Sequence, residues 1–195
     1  MTNELRIAIA GHLRSGKDTF VDLLIDELQN ALGSLTQFNE SFKVQKFAFG
    51  DKLKDYAHEI CMDIPREPKP RELYQGMNIF RTFDPEVWIK HLDKDVTESN
   101  ATLKVITDVR QNNELNYCDN NGFHTIKVVS DTEVRKQRVL DAGETWNEEF
   151  EQHPSEIEID GLSVQTTVVN NDGLEELKSN ARTVAQMLVE GYLND

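Results

Sequence analysis

Basic residues are scarce in this sequence, and so are cysteines and long apolar runs. Of its 195 residues, 21 are Lys or Arg against 35 Asp or Glu, a formal net charge of −14. Attachment to a nucleic-acid backbone or an anionic membrane surface relies on a positive field, so neither is an expected partner. An anionic small molecule can bind only where the few cations converge, which makes the position of each one informative. The two cysteines, Cys61 and Cys118, stand alone without metal-ligand spacing. They read as ordinary small side chains in a reducing cytoplasm, not as a disulfide or a zinc site. No apolar run is long enough to span a bilayer. The opening residues, MTNELRIAIAG, carry an acid where a secretion signal has a basic flank, and they run straight into a glycine turn, so no signal peptide is expected.

What is present is a globular composition, 38% hydrophobic with two tryptophans, and enough chain for one domain with a sizeable core. Residues 5–10, LRIAIA, form a short β-branched apolar run stopped at Gly11, which predicts a buried parallel strand. From Gly16 onward Phe20, Leu23, Leu24, Leu28 and Leu32 recur at helical spacing, with Gly33 as the stop. Strand-like text returns at 44–49, 103–109, 123–129 and 166–170. Helical text is expected at 51–62, opened by Asp51, at 71–80, at 86–96 after the cap-like Asp84-Pro85, and at 174–193. The polar stretch RQNNELNYCDNNG joins the third and fourth strands. Residues 131–163 are charged with little periodicity and read as an excursion from the sheet, either a mobile lid or a surface insertion. Strands alternating with helices predict an α/β fold of three layers around a mostly parallel five-stranded sheet.

Between the first strand and the first helix lies GHLRSGKDT, with the G-x-x-x-x-G-K spacing of a phosphate-binding loop from Gly11 to Lys17. A glycine-rich turn there leaves backbone N–H groups aimed at one spot, and the helix dipole adds positive potential. Lys17 is placed to reach the β- and γ-phosphates. Asp18 stands where the usual motif has a hydroxyl. It suits the first helical turn as a negative charge and is also a hard oxygen ligand for Mg²⁺, while Thr19 offers the hydroxyl one residue later.

Asp108 ends the third strand in VITDVR, where open α/β sheets collect ligands. It reads as a magnesium-side acid or as a cap for the residues that follow, and Arg110 shares the same strand end. Lys54, Arg71 and Arg81 lie between the second and third strands and are candidates for gripping an acceptor phosphate. Arg135 and Arg138 are either surface charges on a helix or lid cations that offset charge on a transferring phosphoryl group. The turn VVNNDG at 168–173 either joins strand to helix or presents backbone groups to a base.

Taken together these segments resemble the phage deoxynucleoside monophosphate kinases. GHLRSGKDT resembles that family's R-S-G-K-D-T loop, FAFGDKLKDYA its F-A-x-x-L-K segment through Lys54, and RELYQGMNIFR with FDPEVWI its acceptor side through Arg71, Gln75, Arg81, Asp84 and Trp88. ITDVRQNNEL is similar to its D-x-R-x-x-x-E element through Asp108, Arg110 and Glu114, HPSE at 153–156 to its lid element, and VVNNDGLEEL to its closing segment. Animal-type phosphomevalonate kinases share the loop, the L-K segment and the D-x-R element. Dephospho-coenzyme A kinases resemble the final turn.

The resemblance implies a P-loop kinase of one domain, acting as monomer or homodimer on nucleotide substrates with ATP and Mg²⁺. Its acceptor section falls at about 51–92 and its lid at about 131–163. ATP would be held by Gly11, Arg14, Ser15, Gly16, Lys17, Asp18 and Thr19 with Asn170 and Gly173, and the metal by Asp18, Thr19 and Asp108. Catalysis would fall to Lys17, Arg110, Arg135 and Arg138. The alternatives are a kinase for another small phosphorylated acceptor and a nucleotide-binding switch that hydrolyses ATP without one.

Overall fold

A computed structural model describes residues 4–33, 42–147 and 154–194. The chain forms two compact units, one comprising Met1–Lys46 with Asn100–Asp195 and the other Phe47–Ser99. The first unit carries a five-stranded sheet, all parallel, in the order β2-β3-β1-β4-β5. Its strands are β1 (Leu5–Gly11), β2 (Val44–Phe47), β3 (Leu103–Val109), β4 (His124–Val129) and β5 (Thr166–Val169).

The central strands are buried on both faces, and for that reason they read as continuous apolar runs and not as alternating ones. Ile7, Ile9, Leu103, Val105, Ile126, Val128 and Val168 turn to one face and meet α1 (Lys17–Gly33) and α8 (Leu174–Asn194). The seam between those helices is made by Phe20, Leu24 and Leu28 of α1 and by Leu177, Ala181, Val184 and Leu188 of α8. Each such aliphatic or aromatic side chain, taken out of water, contributes roughly 1.5–3 kcal/mol. On the opposite face α5 (Asn112–Asn120) packs against β4, burying Leu115 and Cys118. Helices α6 (Thr132–Asp141) and α7 (Pro154–Gly161) complete this unit's described elements.

One sequence expectation is corrected here. The polar join between β3 and β4 contains the crossover helix α5, whose apolar stripe is too narrow to show as periodicity. Its start is fixed by polar contacts, since Glu114 accepts from the backbone N–H of Arg110 at 2.9 Å and of Gln111 at 3.2 Å. Among the described residues the 131–163 segment holds two helices; residues 148–153 of it, His153 of the HPSE element among them, lie outside the described residues.

The second unit is helical: α2 (Phe49–Ile60), α3 (Arg71–Met77), a 3-10 turn (Asn78–Thr82) and α4 (Val87–Glu98). Helix α2 starts two residues before Asp51, which falls in its first turn. Leu53, Ala57, Met77 and Trp88 form the core of this unit. No helix among the described residues is long and apolar enough to cross a membrane.

Candidate active site

The strand order puts β1 between β3 and β4. The chain leaves β1 through α1 toward β2 and leaves β3 through α5 toward β4, so the two connections depart in opposite directions. The crevice this opens at the carboxyl ends of β1 and β3 is where open α/β sheets hold ligands. Gly11 ends β1 and Asp108 and Arg110 stand at the end of β3, on either side of that crevice. The β1–β3 register runs Ala8 to Ile106 and then Ala10 to Val109, so β3 carries one extra residue in the Thr107–Asp108 stretch. This shift interrupts the regular pairing of β3 with β1 close to the phosphate loop.

From Gly11 to Lys17 the chain makes a tight turn. Ser15 N–H donates to the His12 carbonyl at 3.2 Å, and Phe20 N–H closes the first helical turn on Gly16 at 2.9 Å. Arg14 and Gly16 take left-handed φ values of 61° and 88°. Glycine at 16 is also required by packing, because a Cβ there would lie 2.1 Å from Nδ2 of Asn170. A Cβ on Gly11 would lie 2.8 Å from the Val128 carbonyl oxygen and 2.9 Å from Ser15 Oγ. The protein's own atoms crowd both glycines, in addition to any need for a phosphate to come close.

The turn after β5 supports the loop from below. Asn170 Nδ2 donates to the Ser15 carbonyl at 2.8 Å, and Asn170 N–H to the Val129 carbonyl at 2.8 Å. Ser15 Oγ and Asn170 Oδ1 are buried without a hydrogen-bond partner among the described residues, a polar remainder suited to a polar ligand beside the loop. Gly173 has φ 99° and its carbonyl accepts from Leu177 N–H at 3.2 Å, so it shapes the entry to α8.

Lys17 opens α1 with its side chain 13% exposed and its ammonium paired to the carboxylate of Asp18, which is 88% exposed. Thr19 is exposed beside it. Asp18, Thr19 and Asp108 are hard oxygen donors of the kind Mg²⁺ takes. No cluster of three His, Cys, Asp or Glu side chains that could hold a metal alone exists among the described residues.

A charged network surrounds the crevice. Glu156 of α7 accepts from His12 Nδ1 at 3.0 Å, from Leu13 N–H at 3.2 Å and from Arg110 Nη1. His12 Nε2 faces Asp160 Oδ1 at 2.8 Å. The hydrogen bond it donates to Glu156 raises the imidazole above its ordinary pKa against the effect of burial; Asp160 adds to this and the charge of Arg135 opposes it. Burial by itself would raise the Glu156 carboxyl, but His12, Arg110 and the Leu13 amide outweigh it and hold it at about 2.

The two arginines expected in a lid are engaged within the first unit. Arg138 donates through Nη1 to the Arg14 carbonyl at 3.2 Å and through Nη2 to the Asn170 carbonyl at 3.0 Å, so it ties the phosphate loop to the β5 turn. Arg135 is 6% exposed, bonded to Thr132 Oγ1 at 3.1 Å, with its guanidinium 5.7 Å from the ring centroid of Trp146. Both side chains are thus held by neutral protein groups of the first unit. Helix α7 is anchored as well. Lys127 Nζ, from β4, donates to the carbonyls of Ile159, Asp160 and Leu162 at 3.3, 3.2 and 2.9 Å, which places a cation at the helix's carboxyl end.

In the second unit Lys54 pairs with Asp51 at 3.0 Å, Arg71 and Gln75 are exposed on α3, and Arg81 is half-buried in the 3-10 turn. Two residues expected on the acceptor side have structural roles here. Asp84 accepts from Glu86 N–H at 3.1 Å and pairs with Lys90 at 2.7 Å, fixing the start of α4. Trp88 is 2% exposed and packs in the unit's core, edge-on to Phe80 with ring centroids 6.3 Å apart.

No family model matches the sequence, and no curated protein matches it. Solved structures do. A gluconokinase from Sinorhizobium meliloti superposes with a TM-score of 0.53 at 14% identity, covering 98% of this chain and 97% of its own. A Thermus thermophilus protein superposes with a TM-score of 0.50 at 19% identity, over 96% and 97%. The chain shares the α/β fold of these structures, built on a five-stranded parallel sheet. At these identities the likeness extends to the fold alone, and the chemistry rests on the residues described above.

Sequence reasoning assigned no role to His12, Asp160 or Ser130, whose Oγ accepts from Arg138 at 3.3 Å. His12 carries a signal in hindsight, since it is an ionisable residue inside a loop of small and backbone-presenting ones. Of its carboxylate partners, 144 and 148 residues away, Glu156 closes the HPSE element, whereas Asp160 carried no such signal.

Proposed function

We propose that this chain transfers the γ-phosphoryl group of ATP to a nucleoside or deoxynucleoside monophosphate, giving the diphosphate. The observation that carries the reading is the convergence at the β1–β3 crevice of a phosphate loop with Lys17 and of Asp108 and Arg110 from the end of β3. The narrower choice of acceptor rests on the segments that resemble phage deoxynucleoside monophosphate kinases. Phosphoryl transfer asks mainly for positioning and charge neutralisation. Loop amides and Lys17 hold the β- and γ-phosphates, and Arg110 offsets charge on the transferring group. Asp18, Thr19 and Asp108 are the oxygen donors for Mg²⁺, which when bound neutralises phosphate oxygens. Lys54, Arg71 and Arg81 of the second unit are the cations assigned to the acceptor phosphate. That phosphate is already anionic, so no general base is required.

The test is ADP release from Mg-ATP with each common nucleoside and deoxynucleoside monophosphate added singly. Strong stimulation by one or a few supports the reading and names the acceptor. Stimulation by phosphomevalonate in place of any nucleotide moves the acceptor class. ADP release that needs no acceptor overturns the kinase assignment in favour of a switch.

A further inference from the structure

The acid of the HPSE element has no part in the chemistry assigned above, yet it is among the most heavily engaged side chains of the first unit. Its carboxylate, on a side chain 10% exposed, meets the loop at Leu13 N–H and His12 and meets the β3 end at Arg110. The element that carries it is fixed. Beyond the three carbonyls gripped by Lys127, Ile159 is fully buried and Glu158 Oε1 accepts from Asn112 N–H at 2.8 Å and Nδ2 at 3.0 Å. Helix α7 is thereby tied to β4 and to the start of α5. Arg110 is constrained at its other end too, its backbone N–H bonded to Glu114. A guanidinium 37% exposed at a strand end would otherwise sample many rotamers.

We propose that Glu156 is a positioning residue which holds the guanidinium of Arg110 ready for the phosphate oxygens of the donor nucleotide, its bond from the Leu13 N–H tying the loop to the same carboxylate. This rests on the kinase reading for the role of Arg110. One anion shared between loop and strand end fixes their separation, and a misplacement of about 1 Å in such a group costs on the order of 100-fold in rate. Five donors in a rigid fork leave Arg110 with N–H groups to spare for a ligand while Nη1 stays on Glu156.

The test is a double-mutant cycle of the full chain: parent, Glu156→Gln, Arg110→Ala and the double variant, each checked for folding by circular dichroism. Glu156→Gln is expected to lower kcat by roughly 10- to 100-fold with the KM for ATP changed less than ~3-fold. In the Arg110→Ala background the same change is expected to cost less than ~3-fold, because the group it positions is gone. Equal losses in both backgrounds would show a merely structural role and overturn the proposal. If Glu156→Gln does not fold, Glu156→Asp, which keeps the charge but withdraws it, goes through the same cycle. ATP affinity by calorimetry in the four proteins separates this from the kinase reading. Absence of acceptor-dependent turnover in the parent sinks that reading, and the same cycle run on acceptor-independent ADP release from ATP then decides the role of Glu156. A parent that binds no ATP overturns both.

Discussion

The side-chain amide of Asn170 donates to the carbonyl of Ser15 at 2.8 Å across 155 residues of sequence, and its nitrogen occupies the space where a Cβ on Gly16 would stand. Gly16 is therefore fixed twice, by its left-handed φ and by this neighbour. Gly16→Ala is expected to destabilise the fold by about 2–3 kcal/mol, combining the left-handed penalty with loss of the Ser15 bond. Removing the neighbour relieves only the clash. Urea unfolding of Asn170→Ala and of the double variant should leave a residual cost of about 1–2 kcal/mol assignable to φ. A double variant as stable as Asn170→Ala would show that φ carries no cost.

Lys17 makes its ion pair with an exposed neighbour, so its contribution to folding is small. Lys17→Ala is expected to keep its unfolding midpoint and to lose at least ~100-fold in acceptor-dependent ADP formation, as for removal of one preorganised charge partner. Turnover within a few-fold of the parent would remove Lys17 from the chemistry.

The His12 cluster gives stability a pH dependence whose sign follows from its direction. His12 has a raised pKa in the folded chain, from Glu156 and Asp160 against burial and Arg135. Its contribution is complete below the unfolded value of about 6.5 and is lost as pH rises above that value through the folded one. Glu156, held at about 2, behaves oppositely: its contribution is present above the unfolded carboxyl range and is lost as pH falls toward 2. The urea midpoint of the parent should decline as pH increases from 6.5, and His12→Gln should flatten that decline. An unchanged slope in His12→Gln would place the dependence elsewhere.

Trp88 separates packing from acceptor contact in the second unit. Its indole Nε1–H has no partner among the described residues, so Trp88→Phe sacrifices no hydrogen bond. Trp88→Ala, leaving a cavity among Leu53, Ala57 and Met77, is expected to cost ~3–5 kcal/mol, and Trp88→Phe much less. Thermal unfolding of both variants, with the acceptor KM of Trp88→Phe, checks this. A KM raised more than ~10-fold in a stable Trp88→Phe would return the indole to the acceptor.

Much of the fold was legible because its signals are local. LRIAIA before Gly11 and LKVITDV before Arg110 are strands buried on both faces, and such strands announce themselves as unbroken apolar runs. The turn that bends into α1 was readable because the phosphate-loop spacing and the helix start occupy adjacent residues. Helix α5 was missed because Leu115 and Cys118 are nearly its whole apolar stripe, and the capping by Glu114 that starts it looks in sequence like ordinary polar text.

The sequence by itself determined the strand–loop–helix unit, the acid and arginine at the end of β3, and the alternation that builds a parallel sheet, since each depends on residues within one or two turns of each other. Tertiary structure alone decided which groups each charged side chain meets. Arg138 braces Arg14 and Asn170, Arg135 lies against Trp146, and Glu156 gathers His12, Leu13 and Arg110, all through contacts separated by many residues. Partner choice among distant charges is set by which strand ends and helices the crossovers bring together, a property that no window of sequence contains.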